Sequence, residues 1–363
     1  MVTPFAFRNK PIMPLTPIAT EDLAQHAAAH LPQGILPLQS LAELVEMGAL
    51  QSSDPLDHDQ IQPASIDLRL GARAWRVRAS YLPRGRKVSD RLQDVKMHEM
   101  DLSKGAVFEA GCVYIAELKE SLNLPKGVSA RANPKSSTGR VDVFVRLLSD
   151  YGDYFDDVAD GYSGPIYLEI APQTFSVLAR SGTRLNQLRL KRGTSPRLYT
   201  ADCEVDLTGD LVGFRARRHA GIIDLDHVGG HDPRKYWEPL YQSGGQLLLD
   251  PGEFYILASK TDVEIPVLQA AEMLPIDPSV GEFRVHYAGF FDPGFGTAEA
   301  EGTGSKGVLE VRCHETPFLL EDGQTVARLV YEPLTEKPVK LYGQMGSNYQ
   351  RQGLKLSKHF MPW

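Results

Sequence analysis

The chain reads as a mainly β protein built from two tandem copies of one barrel- or sandwich-like unit, with only a few short helices. Its 363 residues exceed one average domain and suit two of about 150 to 180, each large enough to bury a core. Short runs rich in Val, Ile, Tyr and Phe recur along it: CVYIAEL, GPIYLEI and FSVLA in the first half, EFYILAS, GVLEVRC and VARLVYEPL in the second. Clusters of Gly, Pro, Asp and Ser part them, as in all-β folds. The chain also matches itself at a constant offset of 141 residues. AGCVYIAELKESLNLP from Ala110 aligns with PGEFYILASKTDVEIP from Pro251, pairing Gly111 with Gly252, Tyr114 with Tyr255, Lys119 with Lys260 and Pro125 with Pro266. The same shift later pairs Glu169 with Glu310, Gly182 with Gly323 and Leu188 with Leu329. Seven matches in one register and one order indicate a duplication.

Taken in order, residues 1–35 form an N-terminal arm, because four prolines interrupt the first stretch and no continuous apolar run marks a secretory leader. Helices are expected at TEDLAQHAAAHL and at LQSLAELVEMGAL. The second carries Leu41, Leu44, Val45 and Met47 at helical spacing and Gly48 near its end. The first unit spans 36–200 and the second 201–363, since KRGTSPRLYTADCEVD, around Pro196 to Asp206, loses the alternation and gains turn residues.

Composition narrows the function. No apolar run approaches the roughly 18 residues of a membrane span. Cys112, Cys203 and Cys313 lie far apart without C-x-x-C spacing, which argues against a disulfide framework or a Cys-based zinc site and fits a cytoplasmic protein. A net charge of −7 disfavours a nucleic-acid polymer as partner. It leaves room for a small anion held by a few local cations.

Two polar segments interrupt the strands, and each is present in one copy only. Lys135-Ser136-Ser137-Thr138-Gly139-Arg140 offers hydroxyls, backbone amides and cations to an anionic oxygen, whereas the offset places Asp277, Pro278 and Gly281 at the equivalents of Ser136, Ser137 and Arg140. RVHYAGFFDPGFG, residues 284–296, reads as a hairpin closed by Asp292-Pro293-Gly294 whose backbone and aromatic faces suit a flat ring. The first half has instead the longer, acid-rich VRLLSDYGDYFDDVADGYSG. Glu169 and Glu310 stand at matching positions inside apolar strands, where a carboxyl turned into a cleft gains a raised pKa useful for proton transfer. EGTGSKG matches no phosphate-loop pattern and is expected to be a flexible loop; His98-Glu99 and His314-Glu315 do not extend to H-E-x-x-H, and no P-C-x-x-C accompanies an H-x-E.

Together these residues resemble the dCTP deaminases, the zinc-independent branch of the dUTPase superfamily, in a long duplicated form. The resemblance is carried by QPASIDLRLG at 62–71, KSSTGR at 135–140, the VHYAGFFDPGF segment, the Glu after each such segment, and NYQRQG at 348–353. It implies two dUTPase-like distorted β-barrels, with sites between neighbouring barrels of a homo-oligomer. It also implies that Ser136 contacts phosphates and places the attacking water, that Arg140 locks the geometry, and that the catalytic Glu is Glu310 or Glu169. Lys135 and Ser137 would bind substrate, His286 to Asp292 would read the pyrimidine with Ala288 as backbone contact, and Tyr349 and Gln352 would cover sugar and phosphates. Asn348 departs from the Lys usual ahead of that Tyr. The expected arrangement is composite, Ser136 and Arg140 from the first half and the hairpin with Glu310 from the second; the rival is a complete first-half site around Glu169. The implied reaction is dCTP plus water giving dUTP and ammonia, with Mg²⁺ carried on the triphosphate and no zinc. The alternatives are a dUTP diphosphatase, a bifunctional deaminase/diphosphatase, and a nucleotide sensor without turnover.

Overall fold

The alternating runs of the first half fold into one ten-stranded sheet that nearly closes on itself. Its path runs through Val143–Ser149, Ser163–Pro172, Val113–Asn123, Ile66–Val77, Arg184–Arg192, Val128–Pro134 and Asp157–Val158. Gly34–Ile35, Leu50–Ser52 and Lys96–Asp101 pair onto it. Register shifts between Leu70 and Ala74 and between Pro165 and Tyr167 supply the bends that a flat ladder lacks. Glycine permits one of the close approaches: a Cβ on Gly71 would lie 3.1 Å from the backbone oxygen of Glu117. The computed structural model describes residues 32–363 except 278, 280–282, 287, 288, 345, 347 and 348, and it omits the side chains of Arg284 and His286. The expected N-terminal arm and the helix at TEDLAQHAAAHL thus lie almost wholly outside the described residues. No helix among those described is long and apolar enough to cross a membrane.

The second predicted helix forms over Leu38–Glu46. Its periodic Leu41 and Leu44 are buried against Ile66, Leu68, Leu122 and Leu190, and Gly48 at φ +80° turns the chain out of it. In the second half, five strands order as Trp237–Tyr241, Leu211–Ala216, Phe254–Asp262, Lys306–Cys313 and Phe283–His286. Four more order as Tyr199–Glu204, Thr325–Pro333, Gln269–Pro275 and Phe290–Phe291.

The duplication is visible bond by bond. The amide of Glu109 donates to the Tyr114 hydroxyl at 3.0 Å, and that of Asp250 to Tyr255 at 2.8 Å. Gly111 donates to the Pro172 carbonyl at 2.8 Å, as Gly252 does to Cys313 at 3.0 Å. Glu169 sits opposite Ile115, and Glu310 opposite Ile256.

Ser136–Gly139 forms a helical turn, because Gly139 and Arg140 bond back to the carbonyls of Lys135 and Ser136. Two local expectations are corrected. The 284–296 segment is not a two-stranded hairpin. Phe283–His286 joins Lys306–Cys313 while Phe290–Phe291 joins Gln269–Pro275, so the segment crosses between sheets. EGTGSKG is closely packed: Gly304 bonds to Gly296, and the Ser305 hydroxyl accepts from Arg351 at 2.8 Å.

The halves share one core. Val143, Val145 and Ile170 pack with Phe214, Trp237, Ile256 and Val308 from the second half, and Ile223–Asp224 adds a parallel strand to Val177–Ala179. At the seam, Arg131 pairs with Glu272 and Lys191 with Glu332, so equivalent positions of the two copies carry opposite charge. Arg189 crosses the seam without solvent exposure. It donates to Ala271 O, Phe291 O and Asp292 Oδ1 at 3.1–3.3 Å and stacks 4.0 Å above Phe290. Removing one partner of such a pair strands the other in the interior. Arg189→Met is therefore expected to destabilise the fold by about 3–5 kcal/mol, measured as a lowered urea midpoint.

Candidate active site

The edge of the first barrel delivers the first half of the site. Strand Val128–Pro134 leads into Lys135, still extended, and the turn Ser136–Gly139 then swings Arg140 inward. The Arg140 guanidinium is 3% exposed. Its Nη1 donates to Lys355 O at 3.0 Å, its plane lies 4.0 Å over the Tyr349 ring, and its Nε stands 3.8 Å from Glu310 Oε1. Glu310 comes from the second half, on strand Lys306–Cys313, and alternation turns it to the seam. Burial raises its pKa to about 8, a rise that the Arg140 charge opposes without cancelling. A carboxyl in that range gives and takes protons near neutral pH.

Glu310, Arg140, Ser136, Phe290, Asp292 and Tyr349 line a cavity of about 30 Å³, the space of a water-sized reactant. It adjoins a wider, polar cavity of about 190 Å³ walled by Lys135, Ser136, Ser137, Arg184, Asp292 and Lys358. Lys135 is held by Asp67 at 2.5 Å, and Asp292 is held by Arg189. Gln352 donates to Lys306 O at 2.8 Å at the cavity edge. The structure thus brings Ser136, Ser137, Lys135, Arg140, Glu310, Asp292, Tyr349 and Gln352 together. Ala288 and the side chain of His286 lie outside the described residues.

Glu169 is elsewhere. It is 1% exposed and accepts from Arg146 at 2.6 and 3.0 Å, and Arg146 also bonds Ser80 and stacks 3.5 Å over Phe155. The cause is what covers each copy. In the second half, Ile256 and Val308 flank Glu310 and pack on the first half. Their equivalents Ile115 and Tyr167 pack under the chain's own Tyr81, Leu82, Val88 and Leu92. That segment, with helix Val88–Val95, covers the strand face on which Glu169 stands.

Sequence reasoning missed Asp67, Arg184, Arg189 and Lys358. Asp67 lay in plain view within QPASIDLRLG, as the acid of a strand start that alternates charged with apolar residues. Arg184 and Arg189 carried no signal beyond strand polarity, and Lys358 lies past the last motif.

These features define a class: a two-barrel, mainly β protein with an acid–guanidinium site at the seam of its halves. The model of the 2'-deoxycytidine 5'-triphosphate deaminase N-terminal domain matches residues 32–194, and that of the C-terminal domain matches 197–360. The chain belongs to the dCTP deaminase family. It is 50% identical to a solved structure of 2'-deoxycytidine 5'-triphosphate deaminase from Agrobacterium tumefaciens, covering 84% of this chain and 99% of that one with a TM-score of 0.80. Among curated relatives, "dCTP deaminase, dUMP-forming" of Coprothermobacter proteolyticus is 30% identical over 136 residues, 36% of this chain and 67% of that protein. The "dCTP deaminase" of Natronomonas pharaonis is 30% identical over 156 residues, 41% and 77%.

The raised pKa of Glu310 has a thermodynamic consequence. Between an ordinary carboxyl pKa near 4.5 and the folded value of about 8, the unfolded chain ionises this group while the folded chain keeps it protonated. Its contribution to stability is complete below that window and falls as pH rises through it. Glu310→Gln should gain on the wild type across the window by a few kcal/mol, read from urea midpoints at acidic, neutral and mildly alkaline pH. Parallel pH dependence of the two proteins would show that Glu310 ionises normally.

Proposed function

We propose that the chain hydrolyses the exocyclic amine of dCTP at the seam between its halves, giving dUTP and ammonia, with Glu310 as the proton carrier. The observation that carries this is the buried Glu310 carboxyl facing Arg140 and Ser136 of the other half. Ionised Glu310 takes a proton from a water placed by Ser136, and the hydroxide adds to C4 of the ring. Glu310 returns that proton to N3, and a second proton from the added hydroxyl passes to the amine. The C4–N bond then breaks, ammonia leaves, C4 becomes a carbonyl, and N3 keeps its proton. One carboxylate serves as base and then as acid, which its raised pKa permits. Arg140 holds Glu310 in place and stabilises its ionised form.

The ring lies against Phe290 and the crossing segment, and the triphosphate occupies the wider cavity beside Ser136, Ser137 and Lys135. Tyr349 and Gln352 close over the sugar side. Mg²⁺ enters on the phosphate oxygens, because Asp67 and Asp59 of this cavity are engaged by Lys135 and Arg184. On this reading the enzyme is a cytoplasmic, zinc-independent homo-oligomer acting on free nucleotides. A second reading, in which the product leaves as dUMP with pyrophosphate, draws support from the dUMP-forming names of several relatives.

Glu310→Gln should lower kcat by about 10²–10⁴-fold, whereas Glu169→Gln should stay within about threefold at a temperature where it is folded. Ammonia release from dCTP is the measurement, and the reverse ranking would move the chemistry to the first half. Chromatography of the nucleotide product separates dUTP from dUMP. Dialysis against a zinc chelator followed by Mg²⁺ should restore full turnover, and a requirement for added zinc would remove the metal-free mechanism.

A further inference from the structure

We propose that Lys358, delivered by the C-terminal segment, is a phosphate ligand of this site and sets its preference for a triphosphate over shorter nucleotides. The inference rests on the functional reading above and deepens it. The wide cavity beside Glu310 has three cationic side chains in its wall, Lys135, Arg184 and Lys358. Two of them are already compensated. Lys135 is paired with Asp67, and Arg184 bonds Asp57 and Asp59 at 2.5 and 2.8 Å and stands 3.5 Å from Asp67. Among the described residues, no carboxylate lies within ion-pair distance of the Lys358 ammonium, although it is partly buried and shares the wall with the Ser136 and Ser137 hydroxyls.

A partly buried cation beside two others is costly unless an anion joins it. The pKa of Lys358 is lowered, first by burial and then by repulsion from Lys135, with Asp67 opposing. That direction describes an ammonium taken partly out of water beside cations whose acidic partners, Asp57, Asp59 and Asp67, are bound to Lys135 and Arg184. A triphosphate supplies several oxygens of the required sign, and the serine hydroxyls add neutral donors beside the ammonium.

The segment that carries Lys358 is held at both ends. Arg140 donates to Lys355 O at 3.0 Å, and Ser357 Oγ donates to Ser137 O at 2.8 Å. The Lys358 amide donates to the Tyr349 hydroxyl at 3.3 Å, and its carbonyl accepts from Gly229 at 2.9 Å. His231 and Phe360 then form a parallel bridge. The backbone of Lys358 is therefore placed by bonds to both halves, and the groups that fix it include Tyr349 and the Ser136 turn that also shape the Glu310 cavity.

The test compares dUTP with deoxyuridine as ligands of the full-length protein. Lys358→Met should weaken dUTP binding by about 10–100-fold while changing deoxyuridine binding less than about threefold, and Lys358→Arg should retain most of the dUTP affinity. The KM for dCTP should rise in step with little change in kcat. Unchanged dUTP affinity in Lys358→Met would overturn the proposal. So would an equal loss for both ligands, because that pattern assigns the residue to packing of the segment. Acetylation of the wild-type protein by acetic anhydride, read by mass spectrometry, gives an answer independent of the variant's folding: dUTP should protect Lys358 and deoxyuridine should not, and equal labelling would refute the assignment. Normal dCTP turnover by the wild type with an indifferent Lys358→Met leaves the deaminase reading standing and removes this inference alone. Absence of ammonia release by the wild type removes the reading itself.

Discussion

A carboxylate buried against a guanidinium from the other half of the chain is the constraint on which the site rests. At 3.8 Å the attraction between Arg140 and Glu310 is worth about 4 kcal/mol in a protein-like medium. The cost of taking a carboxylate out of water is also several kcal/mol. The raised pKa of Glu310 says that desolvation wins. The pair is therefore poised between charged and neutral forms, which is the condition a proton carrier needs. A tighter, bidentate pair would hold the carboxylate ionised, as a structural ion pair does.

Glu169 is paired differently within the same chain. It occupies the equivalent strand position and is equally buried, yet Arg146 grips it with two bonds to one oxygen. The difference lies in what covers the shared face. The first half covers Ile256 and Val308, whereas residues 78–95 cover Ile115 and Tyr167. Duplication supplied two copies of one strand frame, and the covering segment made them unequal. A seam between unlike halves then has one side that forms this cavity, with the Ser136 turn and Arg140 on one half and Phe290 and Glu310 on the other.

The C-terminal segment ties these parts together. Tyr349 lies under the Arg140 guanidinium, Lys355 accepts a bond from it, and Ser357 bonds the Ser136 turn. Arg140 thus contacts this segment through both its Nη1 and its ring-facing plane while its Nε stands 3.8 Å from Glu310. Across the seam, Arg189 performs the matching task for Asp292 and Phe290. The first half thus anchors two segments of the second, each with one buried arginine.

The sequence by itself determined the parts that local chemistry governs. Period-two alternation marked the strands, helical spacing with a terminal Gly marked Leu38–Glu46, and a constant offset marked the duplication, later seen as repeated bonds at Tyr114 and Tyr255. Ser136 and Arg140 were legible because the second copy lacks their equivalents, and Glu310 because a carboxyl inside an apolar strand stands out from its neighbours. Which Glu faces Arg140 was not legible, since both sit on matching strands and only the packing of residues 78–95 separates them. Lys358 and Arg189 were hidden for a related reason. Their meaning depends on which charges lie near them in space, and those partners are set by closure of the barrels across more than a hundred residues of chain. Local pattern reports the periodicity of a backbone; the tertiary structure decides which buried charges are compensated and which are left for a ligand.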